Sequence, residues 1–222
     1  MESVSLTPPP APDEWMEVQV HKDRFLALVG DEEADRWFSH FLNEPCRLAY
    51  IPRSVHRPVD PAYAPDHRSS PPASFRVSFS DGYPLHITTE ESLLALNERL
   101  RAPVNMLRFR PNLVVEGGMA WEEDIWRRLE IGTALLEQVK PCARCTVTTV
   151  DPDTGDRDHE PLLTLKGFRE WGGKVYFGQN AVFLRRGKVR TGDPVRIISR
   201  GDARPPIFGS EAQRMTGETN PI

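Results

Sequence analysis

Two of the chain's three cysteines stand three residues apart, in Pro141-Cys142-Ala143-Arg144-Cys145, with an arginine between them. A thiol attacks or binds metal as its thiolate, and a neighbouring guanidinium favours that charged form. The Thr/Val alternation that follows, Thr146-Val147-Thr148-Thr149-Val150, predicts a strand, and Asp151-Pro152-Asp153-Thr154-Gly155 predicts a tight turn. The pair would thus sit at the mouth of a strand, on rigid backbone. Spacing alone leaves a second reading open, because half-buried cysteines also serve as small hydrophobes. A closed zinc site is the weakest of the readings: it needs four ligands, and no second C-x-x-C or histidine pair follows.

Two further groups could bind an anion. Thr89 stands where a helix should begin, with Ser92 on its first turn, and a helix N-terminus offers unpaired N–H groups to an anion. A plain capping box accounts for Thr89 as well. In Arg108-Phe109-Arg110-Pro111-Asn112, Arg110 carries a planar fork suited to a phosphate or a pterin. A salt bridge for Arg110 and a turn for Asn112 are the structural alternatives.

The elements that must position these groups follow from periodicity. Trp15 to Val20 alternates as a strand, and Asp31 caps a helix whose Ala34, Trp37, Phe38 and Phe41 share one face, expected to be buried. Arg47 to Ile51 is a short strand. Residues 52 to 73, with His56, Arg57, His67 and Arg68, are a basic surface loop, either solvated or a substrate lid. Phe75 to Ser80 and Tyr83 to Thr88 are expected to pair as a hairpin about Asp81-Gly82. Leu93, Leu96 and Leu100 give the next helix its apolar side. Leu113 to Glu116 is a strand, and Glu122 to Arg128 one or two helical turns with Trp126 inward. A hairpin turns at Gly132-Thr133 and delivers the chain to Cys142. A helix runs from Pro161 to about Glu170, and Val175 to Gln179, Ala181 to Arg185 and Pro194 to Ser199 are strands. Many short strands with few helices predict a mixed β-barrel with peripheral helices, an α+β architecture.

Composition narrows the function classes. With 28 Lys and Arg against 32 Asp and Glu, the net charge of −4 offers no general attraction to nucleic acid. No apolar run approaches the length of a membrane span. An odd number of cysteines argues against a disulfide framework and suits a reducing compartment. The first residues, Met-Glu-Ser-Val-Ser-Leu-Thr-Pro-Pro-Pro, lack the basic and apolar regions of a signal peptide. A cytoplasmic location is therefore expected.

The motif C-x-R-C-T-x-T-T-V-D-P-D-T-G resembles the signature of MOSC-domain proteins, the molybdenum cofactor sulfurase C-terminal family. Its closest resemblance is to the branch that contains the mitochondrial amidoxime-reducing component and its bacterial relatives. Other segments agree in order: Trp37-Phe38-Ser39, Thr89-Glu90-Glu91-Ser92-Leu93, Phe109-Arg110-Pro111-Asn112, Glu123-Asp124 with Trp126, Ile131-Gly132, Phe177-Gly178-Gln179 and Gly192-Asp193-Pro194. Together they cover about residues 16 to 199. The resemblance implies a mostly antiparallel MOSC-type β-barrel over residues 76–199. An extended arm (1–14), the remainder of an N-terminal region (15–75) and a tail (200–222) flank it. It further implies a molybdenum cofactor (molybdopterin) whose metal is bound by Cys145, the catalytic residue, with Cys142 as a neighbour. Thr89, Ser92, Arg110, Asn112, Arg144 and Asn180 are the implied cofactor-binding residues. The implied reaction reduces a small N-hydroxylated substrate, with electrons from a haem protein or a flavin or iron–sulfur reductase. No glycine motif for a nicotinamide cofactor is present in this chain. A sulfur-carrier or cofactor-carrier module without turnover is the alternative.

Two departures bear on that reading. The family chain carries a further N-terminal segment of about 60 to 70 residues, domain-sized, with basic residues for the cofactor phosphate. A form without it could be a truncated, inactive one. Asn180 follows Phe177-Gly178-Gln179 where relatives carry tyrosine, a change that either alters substrate access or is simply tolerated.

Overall fold

The computed structural model describes residues 3–6, 14–60, 64 and 75–203. Most of the predicted arm, His67 and Arg68 of the loop, and the tail beyond residue 203 lie outside the described residues. The chain divides into two compact units, residues 1–59 with 76–82, and residues 60–75 with 83–222.

The first unit is a small antiparallel sheet with one helix. Strands β1 (Trp15–Val20), β2 (Asp23–Val29) and β3 (Ala49–Tyr50) pair in the order β1-β2-β3, and α1 (Glu32–Leu42) connects β2 to β3. Asp31 caps α1 by accepting the Ala34 amide at 2.7 Å, satisfying one of the free N–H groups of the first turn. The expected buried face of α1 is only partly buried. Ala34 is fully enclosed, but Phe41 is 62% exposed and stacks on Trp37 at 5.4 Å between ring centroids. The periodicity gave the helix correctly; a three-stranded sheet is too small to cover the three aromatic positions as well as Ala34.

The expected hairpin about Asp81-Gly82 does not form. Residues 75–80 make only the bridge between Pro58 and Arg76. The reason is Arg57, which is buried and donates to the carbonyls of Ser78 and Ser80, each at 2.6 Å, and of Asp81 at 2.8 Å. Its Nε pairs with the Asp23 carboxylate at 2.9 Å. Ser80 and Asp81 turn adjacent carbonyls to one guanidinium, whereas in an extended strand adjacent carbonyls point to opposite edges. Arg57 is therefore an internal tie of this unit, neither solvated nor part of a lid.

The second unit is a curled, mostly antiparallel sheet with two helices beside it, which makes the protein α+β. Its strands are β4 (Leu85–Thr89), β5 (Leu113–Val115), β6 (Trp126–Ile131), β7 (Ala134–Arg144), β8 (Glu170–Trp171), β9 (Lys174–Arg185) and β10 (Val195–Arg200). They run in the order β10-β6-β7-β9-β4-β5, with β8 paired to β9, and only β4 and β5 are parallel. The sheet does not close, so this is half a barrel. The two strands expected within residues 175–185 are one long strand, β9, kinked at Gly178. Glu122–Asp124 is a single 3-10 turn, and Trp126 already belongs to β6.

Two apolar clusters support the unit. One lies against the sheet, around Ile87, Leu129, Leu136 and Ala181. The other joins α2 (Glu90–Asn97) and α3 (Leu162–Arg169) through Leu93, Leu96, Leu165, Phe109, Trp121 and Phe177. Phe109 and Phe177 stack at 3.8 Å, and Trp121 meets Phe177 edge-on at 5.8 Å. Such pairs add to the free energy of burial itself. This second cluster underlies the backbone that carries the candidate site.

Candidate functional site

Cys145 directly follows the long strand β7 and precedes a 3-10 turn, Thr146–Thr149, where the alternation had predicted a strand. The threonines explain the difference. Thr148 donates its hydroxyl to the Cys145 carbonyl at 3.0 Å, and Thr149 to the Thr146 carbonyl at 2.8 Å. Local side-chain bonds of this kind compete with a ladder and favour a turn. The result is an exposed Cys145 thiol on a backbone locked from both sides.

The expected tight turn follows. Asp151 accepts the amides of Asp153 at 2.9 Å and Thr154 at 3.1 Å, and those donors hold its carboxyl below the usual range. Arg108 joins the same carboxylate at 2.8 Å. That ion pair ties the turn after Cys145 to a second 3-10 turn, Met106–Phe109.

Arg144, the last residue of β7, ties the end of that strand to the Met106–Phe109 turn. Its Nη2 donates to the Phe109 carbonyl at 2.8 Å, and its Nη1 to Cys142 Sγ at 2.8 Å. The guanidinium is thus directed at Cys142. Burial pushes the half-buried Cys142 thiol up, against opposing effects of Arg144 and Asn180. Asn180 also reaches the Pro141 carbonyl at 3.4 Å.

Arg110 ends the Met106–Phe109 turn in the left-handed region, at φ 50°. Its side chain is exposed, with no hydrogen bond or ion pair among the described residues. A free guanidinium fork suits a phosphate or a pterin edge. Asn112 is engaged: its Oδ1 accepts the His86 amide at 2.8 Å, and its own amide donates to the His86 carbonyl at 2.9 Å.

Thr89 and Ser92 face inward. Thr89 caps α2 by accepting the Ser92 amide at 3.2 Å. Both hydroxyls also contact Glu123 Oε2, at 3.1 Å and 2.9 Å, and both residues are buried. As they stand, the two hydroxyls converge on one oxygen of the buried Glu123 carboxyl.

Sequence reasoning gave no role to His86 or Glu123. His86 is buried on β4, with Nε2 3.2 Å from the Phe177 carbonyl and 3.5 Å from Arg144 Nη1. Burial first, and then the Arg144 charge, push its pKa down to about 4, so the imidazole is neutral at physiological pH. A lone histidine in the otherwise apolar and threonine-rich Leu85–Thr89 strand was the available signal. Glu123 is fully buried, and Oε1 has no hydrogen-bond partner among the described residues. Next to it, Asp124 forms a buried two-pronged pair with Arg169 at 2.7 and 3.0 Å and accepts from Gln179 at 2.9 Å.

The structure therefore brings Cys145, Arg144, Cys142, Asn180, Arg110 and Asn112 together around the two 3-10 turns, through direct bonds or adjacent backbone. Thr89 and Ser92 belong to a separate buried network. Among the described residues, no cluster of three or more His, Cys, Asp or Glu could hold a metal ion by itself. An exposed thiol and an exposed guanidinium, connected through Arg144 and the Phe109 carbonyl, suit a metal that arrives with most of its ligands on an anionic cofactor.

The mitochondrial amidoxime-reducing component 1 of Mus musculus is 36% identical over 204 residues, covering 86% of this chain and 58% of its own. The mitochondrial amidoxime reducing component 2 of Rattus norvegicus is 39% identical over 193 residues, covering 80% and 56%. The molybdenum cofactor sulfurase of Oryza sativa subsp. japonica is 32% identical over 195 residues, covering 83% of this chain and 23% of that protein. The chain thus spans little more than half the length of the two amidoxime-reducing relatives. A weaker likeness, TM-score 0.42 at 18% identity, links 60% of this chain to 64% of YiiM from Geobacillus stearothermophilus and is too low to establish a shared topology. The model of the MOSC domain matches residues 74–196, more than half of the sequence and the whole of the surface just described, and the chain belongs to that family.

Proposed function

We propose that this chain holds a molybdenum cofactor and, with an electron-donor protein, reduces small N-hydroxylated substrates. The observation that carries the reading is the exposed Cys145 thiol just after β7, with Arg144 linking that strand end to the Phe109 carbonyl before Arg110, whose side chain has no hydrogen bond or ion pair among the described residues. The names of the similar amidoxime-reducing proteins supply the substrate class. When bound, the cofactor supplies two-electron chemistry at molybdenum.

Cys145 contributes a soft thiolate ligand, and the 3-10 turn that follows fixes its backbone before the metal arrives. Arg110 clamps the anionic or pterin part of the cofactor. Asn112, Arg144 and Asn180 shape the same surface, and Thr89 and Ser92 hold the start of α2. Converting N–OH to N–H consumes two electrons and two protons and releases water. The electrons come from a haem protein or from a flavin or iron–sulfur reductase.

The test is reduction of an N-hydroxylated amidine by cofactor-loaded protein, driven by a reduced viologen dye. Arg110→Lys keeps the charge but loses the fork, and should lower turnover in step with cofactor content. A loaded protein that leaves the amidine unchanged would refute the activity. In that case the similarity to a molybdenum cofactor sulfurase favours a second reading, in which the exposed Cys145 carries sulfur.

A further inference from the structure

We propose that Arg144 is a positioning residue: it sets the Arg110 side of the site against Cys145 by bracing the end of β7 against the Met106–Phe109 turn, with Cys142 as its anchor. The inference rests on the function proposed above and gives Arg144 a role other than direct contact with the cofactor.

The geometry is specific. Arg144 immediately precedes Cys145, and its guanidinium crosses to the carbonyl of Phe109, which immediately precedes Arg110. One planar group thus links the backbones on either side of the site. Its second terminal nitrogen is held by Cys142 Sγ at 2.8 Å. Both terminal nitrogens of Arg144 are engaged by protein atoms, and Nε is buried without a hydrogen-bond partner among the described residues. Behind it, Phe109 is fully buried and stacked on Phe177, so the accepting carbonyl belongs to rigid backbone. His86 packs against Nη1 and also faces Phe177, which confines the guanidinium on a third side.

Arg110 depends on this brace more than an ordinary residue would. A non-glycine residue at φ 50° is strained and persists only where its surroundings hold it. The held surroundings are the Phe109 carbonyl and the turn behind it. Releasing Arg144 frees that carbonyl and lets Arg110 relax out of the left-handed region. The unusual backbone at Arg110 and the inward Arg144 then have one cause.

Two measurements on Arg144→Gln test the idea. In cofactor-free protein, amide hydrogen exchange at Arg108 and Arg110, whose N–H groups close the Met106–Phe109 turn, should quicken about tenfold. Affinity for free molybdenum cofactor should fall about tenfold in Arg144→Gln and about tenfold in Arg110→Gln, with no further loss in the double variant, because one acts through the other. A merely structural defect would lower thermal stability without that non-additivity. Unchanged exchange at Arg108 and Arg110 overturns the brace. Fully additive losses also overturn it, since they would mean that Arg144 touches the cofactor itself. If the wild-type protein retains no cofactor, the proposed function fails separately, and the exchange comparison alone decides the brace.

Discussion

Ser92 donates its hydroxyl to Glu123 Oε2 at 2.9 Å, and both side chains are wholly removed from solvent. Glu123 is thus a carboxyl with two hydroxyl partners, an unpartnered second oxygen and Asp124 as its chain neighbour. Burial, and then the Asp124 charge, raise its pKa to about 7, with Arg169 and Ser92 opposing. The folded protein therefore keeps this proton up to about pH 7, whereas an unfolded glutamate releases it near 4.5. Between those values the folded state binds more protons, so stability falls as pH rises through the window and is unaffected by Glu123 below it. The cost at and above neutral pH is on the order of 1–3 kcal/mol. Glu123→Gln should remove this slope, as read by urea denaturation at pH 5 and pH 8. A variant with the wild-type slope would show that Glu123 is ionised throughout.

Gly178 lies at φ +73° within β9, where an added Cβ would come within 2.5 Å of His86 Nε2 and 2.6 Å of the Ile87 carbonyl. Gly155 has a similar φ of +79° but open space around it. Both alanine variants suffer the left-handed backbone, on the order of 1 kcal/mol. Only Gly178→Ala should add a steric penalty, and because His86 backs Arg144 it should also disturb the site. Equal losses of thermal stability in the two variants would contradict this account of the kink.

Aromatic truncations separate the two units. Phe177 is fully buried and stacked on Phe109, so Phe177→Ala should cost about 3–5 kcal/mol. Phe41, expected from its helical spacing to be core, is 62% exposed, and Phe41→Ala should cost under about 1 kcal/mol. Chemical denaturation followed by circular dichroism reads both. A large loss at Phe41 would mean that its face is covered in solution.

These contrasts also explain what the sequence made legible. Asp31 and Thr89 were readable as helix caps because capping is settled within three residues. The Gly132-Thr133 hairpin was readable for the same local reason, with Ile131 paired to Ala134. Partners distant in sequence were not readable: Glu123 lies 34 residues from Thr89, and the Phe109 carbonyl 35 from Arg144. The Thr146–Thr149 segment was misread because alternation mimics a strand, while its hydroxyls bond locally. Cys145 stood out through its motif, and Cys142 and Arg144, two apart on β7, share a strand face, but the strand itself was not foreseen to run as far as Arg144.

Molybdenum per chain, measured by elemental analysis on protein produced in cells that make the cofactor, tests the central claim most directly. Cys145 should be the metal's protein ligand, and serine cannot replace a soft thiolate. The account predicts close to one molybdenum per wild-type chain, most of it retained in Cys142→Ser, and a loss of about tenfold or more in Cys145→Ser with the fold intact. Molybdenum lost from Cys142→Ser but kept in Cys145→Ser would contradict the assignment, and none in the wild-type protein would contradict the function.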